Sequence, residues 1–369
     1  VLTTADSGVA RFDYNPSTLQ PRGLLIEEQR TNSIRNNTMQ GAVAGTPGTL
    51  PTNWTSAATV ALTQQIVGVG TENGITYLDF RVSGTPSGDG ALDLNFEASN
   101  QVAASNGQTW TNSSYVRLVG GSVTNVDCKM LLRGRGSGGA AIAGQAVEVS
   151  FVPTSAALST QRAFATFTMS SASVLFALPS IRFSYTNGNS FDITLRIGLP
   201  QLELGAFATS VIPTTTTALT RNADVASMTG TNFSSWYNQT EGSFVANGVS
   251  FGGAVAGLYS ASNGTSVQSV SVRLQQQFSF AQGLNRASFT YTTNSIARHG
   301  FAYKANDYAA AFNGTALTIS AQPTDVPTTA NVLNIGTLET GAFSLNGWVR
   351  RISYYPVRLA GSTLQALTA

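Results

Sequence analysis

Residues 77–82 read YLDFRV, and residues 91–97 read ALDLNFE. In the first run Leu78, Phe80 and Val82 share one side, while Tyr77, Asp79 and Arg81 share the other. In the second, Leu92, Leu94 and Phe96 alternate with Asp93, Asn95 and Glu97. A strict period of two marks a strand with one face in a core and the other in water. VDCKMLLR (126–133) continues the pattern, with Val126, Cys128, Met130 and Leu132 against Asp127, Lys129 and Arg133. SIRFSY (180–185) and DITLRIGL (192–199) put Ile181, Phe183, Tyr185, Ile193, Leu195 and Ile197 inside. Half-buried strands of this kind build antiparallel sheets that stack face to face, so the expectation is a β-sandwich. GQTWTNSSYVR (107–117) fits less well, because Asn112 and Ser114 fall on the side that Trp110 and Val116 would bury.

The remaining composition agrees. A chain of 369 residues is too long for one typical core, and 42% hydrophobic content is enough for two or three. Amphipathic helical patterns are nearly absent and Gly is abundant, an all-β composition with many turns. A net charge of +2 with no Lys/Arg run gives no reason to expect a nucleic-acid partner. No apolar run is long enough to span a bilayer as a helix, so no membrane insertion is expected. Arg133 and Arg135, in RGRGSGG, read as part of a flexible hairpin tip. Cys128 is the single cysteine, which excludes an intrachain disulfide and a Cys-based metal site. It reads as a small buried hydrophobe. The chain starts without Met, and Val1, Leu2, Thr3, Thr4 and Ala5 read as the middle of a strand, so a longer or processed polypeptide is expected.

Beyond residue 233 the chain is again β. SVQSVSVRLQQQFSF (266–280), RASFTYTT (286–293) and ARHGFAYK (297–304) alternate as strands. KANDYAAAFNGTALTI (304–319) reads as strand, Asn313-Gly314 turn, strand. A short C-terminal helix is expected, with Ser362 as its cap and Gln365 completing a capping box.

Charge is scarce at 10% of residues, yet residues 11–32, RFDYNPSTLQPRGLLIEEQRTN, carry Arg11, Asp13, Arg22, Glu27, Glu28 and Arg30. Asn15-Pro16-Ser17 forms a turn, and Leu24-Leu25-Ile26 a short buried strand whose exit acids should face arginines. The stretch resembles a segment of tail-fibre-like and other virion proteins of tailed bacteriophages, of the form R-F-D-x-[DN]-P…P-R-G-L-L-[IV]-E-E-x-R-T-N. A second resemblance rests on Asn53-Trp54, the G-Q-T-aromatic-T strand, and Gln201, Leu202, Glu203, Gly205, Ser210, Ile212, Pro213 and Thr214 in Q-L-E-x-G…S-x-I-P-T. These look like jelly-roll carbohydrate-binding modules. Residues 214–217 are a Thr linker, and LTRNADVASMTG (219–230) is similar to a T-R-x-A-D-x-A junction of the phage proteins. A structural charge cluster of Arg22, Glu27, Glu28, Arg30, Arg221 and Asp224 is therefore expected, with Arg221 meeting Glu27 or Glu28. Leu333 to Gly336, Asn346 to Ile352 and the final helix resemble laminin-G-like, concanavalin-type sandwiches.

The expected organisation is an N-terminal packing segment (1–40), a jelly roll (41–214), a linker (215–232) and a laminin-G-like sandwich (233–369). The resemblances imply location in a virion, homo-oligomerisation as a trimer, and contacts with other virion proteins and host-surface polysaccharide. Both sandwich families also allow a structural calcium ion, although no contiguous acidic loop is present and the metal ligands are unknown. No other cofactor is expected.

Catalysis finds little support. His299 is the single histidine, alternates with Phe301 and Tyr303, and has no G-x-S-x-G elbow to serve, so it reads as structural. Asp79, Asp93, Glu97 and Asp127 could converge for glycoside hydrolysis, but strand-face carboxylates more simply pair with arginines across strands. GRGSGG and GGAVAG lack the context of a nucleotide site. Sugar binding needs an aromatic platform and a few planar polar groups. Tyr77, Tyr115, Arg117 and Asn95 are outward candidates, joined by Asp79, Asp93, Glu97 and Arg182. Trp54, Trp110 and Trp348 read as core, whereas Trp236 and Tyr237, in TNFSSWYNQT, read as exposed aromatics. The sequence thus points to a phage virion protein, a tail-fibre or appendage component that attaches to host glycans without catalysis. The rivals are a capsid decoration or structural spacer, and a polysaccharide depolymerase.

Overall fold

The computed structural model describes residues 6, 8–320, 322 and 324–369; the strand expected over residues 1–5 lies outside them. The protein is all-β, with antiparallel sheets and a short C-terminal helix. It divides into a first unit of residues 30–221 and a second unit of residues 6–29 with 222–369. The chain thus crosses between units at 29/30 and 221/222, where the sequence places junctions at residue 40 and at 215–232. Residues 12–14 and 21–26 are strands of the second unit.

In the first unit, one sheet runs in the order Arg162–Thr168, Thr109–Gly121, Phe191–Leu204, Ile75–Gly84, Thr63–Glu72. The facing sheet runs Ala141–Phe151, Val126–Arg135, Phe176–Tyr185, Gly90–Asn95, Thr55–Ala58. Leu78, Phe80, Val82, Ile193, Leu195 and Ile197 of the first sheet pack against Leu92, Leu94, Met130, Leu132, Ile181 and Phe183 of the second, all buried. The Phe80 and Phe183 rings meet at 6.1 Å. Burying each such side chain stabilises the fold by about 1.5–3 kcal/mol. Trp54 and Trp110 are core, as expected.

The imperfect alternation of residues 107–117 has a physical cause. Asn112 is buried between the sheets and donates its amide to the carbonyls of Leu131 (3.0 Å) and Ser180 (3.1 Å) of the facing sheet. Ser114 is buried as well and donates to the Gly198 carbonyl at 3.1 Å. Polar side chains therefore tie strands together inside the core. Arg133 and Arg135 belong to the strand Val126–Arg135 rather than to the hairpin tip, which begins at Gly136.

Strand Arg30–Asn32 pairs with Leu219–Arg221 and closes the first unit at its two ends. The closing motif is structural here. Glu203 is buried and accepts from the Thr209 N–H (3.0 Å) and hydroxyl. Gln201 accepts from Ile212 N–H at 2.7 Å. Asn32 and Asn37 donate to the Ile212 carbonyl at 3.0 and 3.1 Å. Arg30 donates to the Leu204 carbonyl and lies 4.8 Å over the Phe207 ring.

In the second unit, one sheet runs Phe12–Tyr14, Pro21–Ile26, Gly347–Tyr355, Glu241–Ser250, Ala297–Lys304, Ala309–Phe312, Thr315–Leu317. The other runs Ser227–Thr229, Val332–Ile335, Gly257–Ser262, Ser269–Arg273, Phe278–Ala281, Leu284–Ser288. Phe244, Tyr259, Val270, Phe301 and Leu333 fill the space between them. Asn313 and Gly314 take φ of 45° and 78°, the left-handed pair that the expected hairpin turn requires. His299 is fully buried, with Nε2 2.7 Å from the Ser279 hydroxyl of the opposite sheet, and burial pushes its pKa down to about 3. It is a structural histidine.

Two more expectations are corrected. Trp348 is not core but half-buried on the outer side of its strand. It donates to Asp13 at 2.9 Å, meets Phe251 edge-on at 4.5 Å and carries the Arg22 guanidinium 4.8 Å above its ring. The C-terminal helix, Gly361–Thr368, begins after Ala360, so Ser362 sits inside the helix and no side chain caps it. Its position is set instead by Leu364, buried in a small outer cluster with Val245, Ala302 and Ala311.

Candidate functional site

The dense charge of residues 11–32 is taken up within the protein. In the second unit Arg11 bridges Glu27 (3.0 Å) and Asp224, and the Glu27 N–H donates to Asp224 at 2.8 Å. Glu27 is only 1% exposed. Burial would lower the Arg11 pKa, but the two carboxylates outweigh it and hold the guanidinium above its ordinary value. Glu28 exchanges hydrogen bonds with the Asn346 amide, and Arg22 pairs with Asp13 at 3.4 Å. In the first unit, Arg221 donates to the Ser210 hydroxyl at 2.6 Å.

On the outer face of the first unit, strand register brings Tyr77 and Tyr115 to either side of Gly198. Arg196 stands between Asp79 and Arg117 one pair along. Arg196 bonds Asp79 at 2.8 and 2.9 Å and Glu72 at 2.7 Å, and lies 3.6 Å over the Tyr77 ring. Arg117 bonds Glu72 at 2.9 Å and donates to the Ser155 carbonyl at 3.1 Å. Both tyrosines pack against a small cluster of Ile75, Leu158 and Leu199, and the Leu158 N–H donates to Glu72 at 2.8 Å. Burial alone would raise the Glu72 carboxyl; the Leu158 N–H, Arg196 and Arg117 overcome that and keep it below the usual range. The charged groups of the strip are thus spent on one another, while Tyr77 and Tyr115 stay half-buried beside them.

Asn95 lies on the opposite sheet, bonded to Arg133 (2.8 Å), Ser180 (2.7 Å) and Thr55 (3.3 Å). Asp93 beside it pairs with Arg133 at 2.6 Å and Arg182 at 2.7 Å. Glu97 is buried and clasped by Arg35. Asp127 lies near Lys129 at 3.5 Å. Of the four acids weighed for hydrolysis, Asp79, Asp93 and Glu97 are therefore cross-strand or loop partners of arginines, and Asp127 lies beside a lysine of its own strand. A calcium ion needs a cage of oxygens. Among the described residues no three His, Cys, Asp or Glu side chains gather in a way that could hold a metal.

The open feature lies in the second unit. Strand Pro21–Ile26 accompanies Gly347–Tyr355 only across Gly347, Trp348 and Val349. It turns away at Gly23, whose φ of 129° and close approach to the Val349 carbonyl exclude a side chain. Directly beyond, Arg350 is the extra residue of a β-bulge, since Gly248 pairs with Val349 but Asn247 with Arg351. From Arg350 to Tyr355 this strand has no strand partner on that side among the described residues. The seam between the sheets stays open there as a cavity of about 500 Å³. Met228, Leu333 and Ile335 of one sheet face Phe244, Val349, Ile352 and Tyr354 of the other, with Arg350, Arg351 and Pro356 also at its walls.

Trp236 lines this cavity. The one-turn helix Thr231–Ser234 explains how. Positions 233 and 237 fall on one helical side, so Phe233 and Tyr237 enter the core and Trp236 stands beside them, half-buried. Its ring packs edge-on to Phe233 at 5.0 Å and tilted to Tyr354 at 5.1 Å. Tyr237 is corrected from an exposed aromatic to a core residue, 7% exposed and stacked on Phe233 at 4.6 Å. Its hydroxyl is buried, which raises its pKa well above the ordinary value. Of the sequence candidates, the structure thus brings together Tyr77, Tyr115 and Arg117, and leaves Asn95, Trp236 and Tyr237 elsewhere. The cavity walls other than Trp236 were missed; the adjacent arginines that break alternation in WVRRI were the available signal.

No family model matches the sequence, and no curated protein matches it. Among solved structures the chain is similar to a carbohydrate-binding module described for promiscuous specificity within the β-sandwich superfamily. That match is 15% identical with a TM-score of 0.27, and covers 41% of this chain and 56%, just over half, of that one. The N-terminal tandem of CBM22 modules of Paenibacillus barcinonensis Xyn10C is 10% identical over 90% of this chain and 97% of that one, with a TM-score of 0.28. Domains LG4-5 of the mouse laminin α1 chain are 10% identical over 69% and 83%, with a TM-score of 0.26. The fold stands on the chain's own sheets.

Proposed function

We propose that this chain is a non-catalytic glycan-binding protein, a tail-fibre or appendage component of a tailed-phage virion that attaches to host-surface polysaccharide at the Trp236 cavity. The observation that carries it is a roomy, mostly apolar cavity with an aromatic ring in its wall and an unpaired strand edge at its lip. Aromatic and aliphatic walls suit the C–H faces of sugars, and free backbone groups suit their hydroxyls. The virion setting rests on the resemblance of residues 11–32. The absence of catalysis rests on the pairing of Asp79, Asp93, Glu97 and Asp127 with cations.

A second reading, a trimeric structural spacer or decoration protein, is favoured by a different observation. Outward charged groups of the first unit are bonded to one another, Arg196 and Arg117 to Glu72 and Asp79 on one sheet and Arg133 and Arg182 to Asp93 and Glu148 on the other. A glycan array and a host-cell binding assay on the purified chain separate the two. Saturable binding lost in Trp236→Ala but kept in Tyr115→Ala supports attachment through the cavity. Clean absence of binding by folded protein favours the spacer, and released oligosaccharide would overturn the non-catalytic reading.

A further inference from the structure

The polar handles of the inner wall are already engaged, and the exposed Arg350 and Arg351 side chains belong to the lip. The Trp236 indole N–H donates to the Asn232 carbonyl at 2.6 Å. The Tyr354 hydroxyl accepts from Asn238 N–H at 2.9 Å and lies 3.0 Å from the Tyr303 hydroxyl. The inner wall is otherwise Met228, Leu333, Ile335, Phe244, Val349 and Ile352. A sugar hydroxyl pushed between these side chains would lose its water and find no partner. A methyl group would instead bury apolar surface at no such cost. Hydroxyls find partners at the lip, along the unpaired edge from Arg350 to Tyr355 and on the exposed Arg350 and Arg351 side chains.

Resting on the glycan reading above, we infer that the ligand is a methyl-bearing sugar, a 6-deoxyhexose or an acetylated residue. Its methyl enters the cavity while its hydroxyl edge stays at the strand. The shared chemistry is the methyl, and matched ligands distinguish its two sources. Calorimetric titration would compare a 6-deoxyhexose oligosaccharide with its 6-hydroxy counterpart, and an O-acetylated polysaccharide before and after mild alkaline deacetylation. One of the two methyl-bearing ligands should bind at least tenfold more tightly than its partner. Met228→Gln, at the half-buried wall, should shrink that ratio several-fold, and Trp236→Ala should remove binding altogether. Equal binding within both pairs, still lost in Trp236→Ala, overturns the methyl assignment and leaves the glycan reading standing. Binding of none of the four by protein with native near-UV circular dichroism overturns both.

Discussion

Replacing Gly205 by Ala tests how the first unit is fastened at its ends. Gly205 has a φ of 144°, and a Cβ there would overlap the Arg30 guanidinium. Backbone strain at such a φ costs about 1–3 kcal/mol. The displaced Arg30 would lose its bond to the Leu204 carbonyl, worth about 1.5–3 kcal/mol for a charged donor. It would also lose its place over Phe207, worth about 0.5–1 kcal/mol. The sum, on the order of 4 kcal/mol, lowers the melting temperature of a unit this size by roughly 8–16 °C. Since the Ala already evicts the guanidinium, Arg30→Ala should cost about 2–4 kcal/mol in the native background and far less beside Gly205→Ala. Urea unfolding of the four proteins completes the cycle. Additive costs would show that Gly205 does not seat Arg30 and would refute the reasoning.

Three further outcomes are expected. Because His299 has its pKa lowered from 6.5 to about 3, the unfolded chain binds a proton that the folded one refuses between those values. Stability therefore falls as pH drops through that window, by about 1.4 kcal/mol per pH unit from this group. His299→Gln should flatten the acid limb of stability measured by urea unfolding, and an unchanged slope would count against it. Burial pushes the Cys128 thiol up to about 12, so a thiol reagent at pH 8 should label it only after denaturation. Ser362→Ala should change stability by less than about 0.5 kcal/mol, because Ser362 lies inside the helix; thermal melting that shows the loss of about 1 kcal/mol typical of a cap would reinstate the capping box.

The strands of the first unit were legible because each buries one face, and Leu78, Phe80 and Val82 announce that locally. What the sequence hid is non-local. Asn112 looks like a flaw in a strand until the carbonyls of Leu131 and Ser180 arrive from the facing sheet. Tyr237 and Trp236 are neighbours in the same polar context, and only a single helical turn decides that one is core and the other cavity wall. Trp348 looks buried by its alternation, but its strand bulges at Arg350 and its ring is claimed by Asp13 and Arg22. The cavity arises where one strand leaves another at Gly23, and no window of sequence contains both Gly23 and Ile352. Tyr77 and Tyr115 stand outward, yet a small cluster that includes Leu158, from a distant loop, packs against them.

The antiparallel pairing of Arg30–Asn32 with Leu219–Arg221 makes the first unit a cassette. The two strands that lead into and out of it lie side by side, about 5 Å apart at Arg30 and Arg221. The second unit is interrupted in sequence by a stretch whose two ends are neighbours. A two-residue turn meets that condition as well as 192 residues do (30 through 221). The first unit is therefore continuous in sequence, while the second is assembled from two separate stretches. It also means that a ribosome must complete residues 222–369 before residues 6–29 can find their sheet.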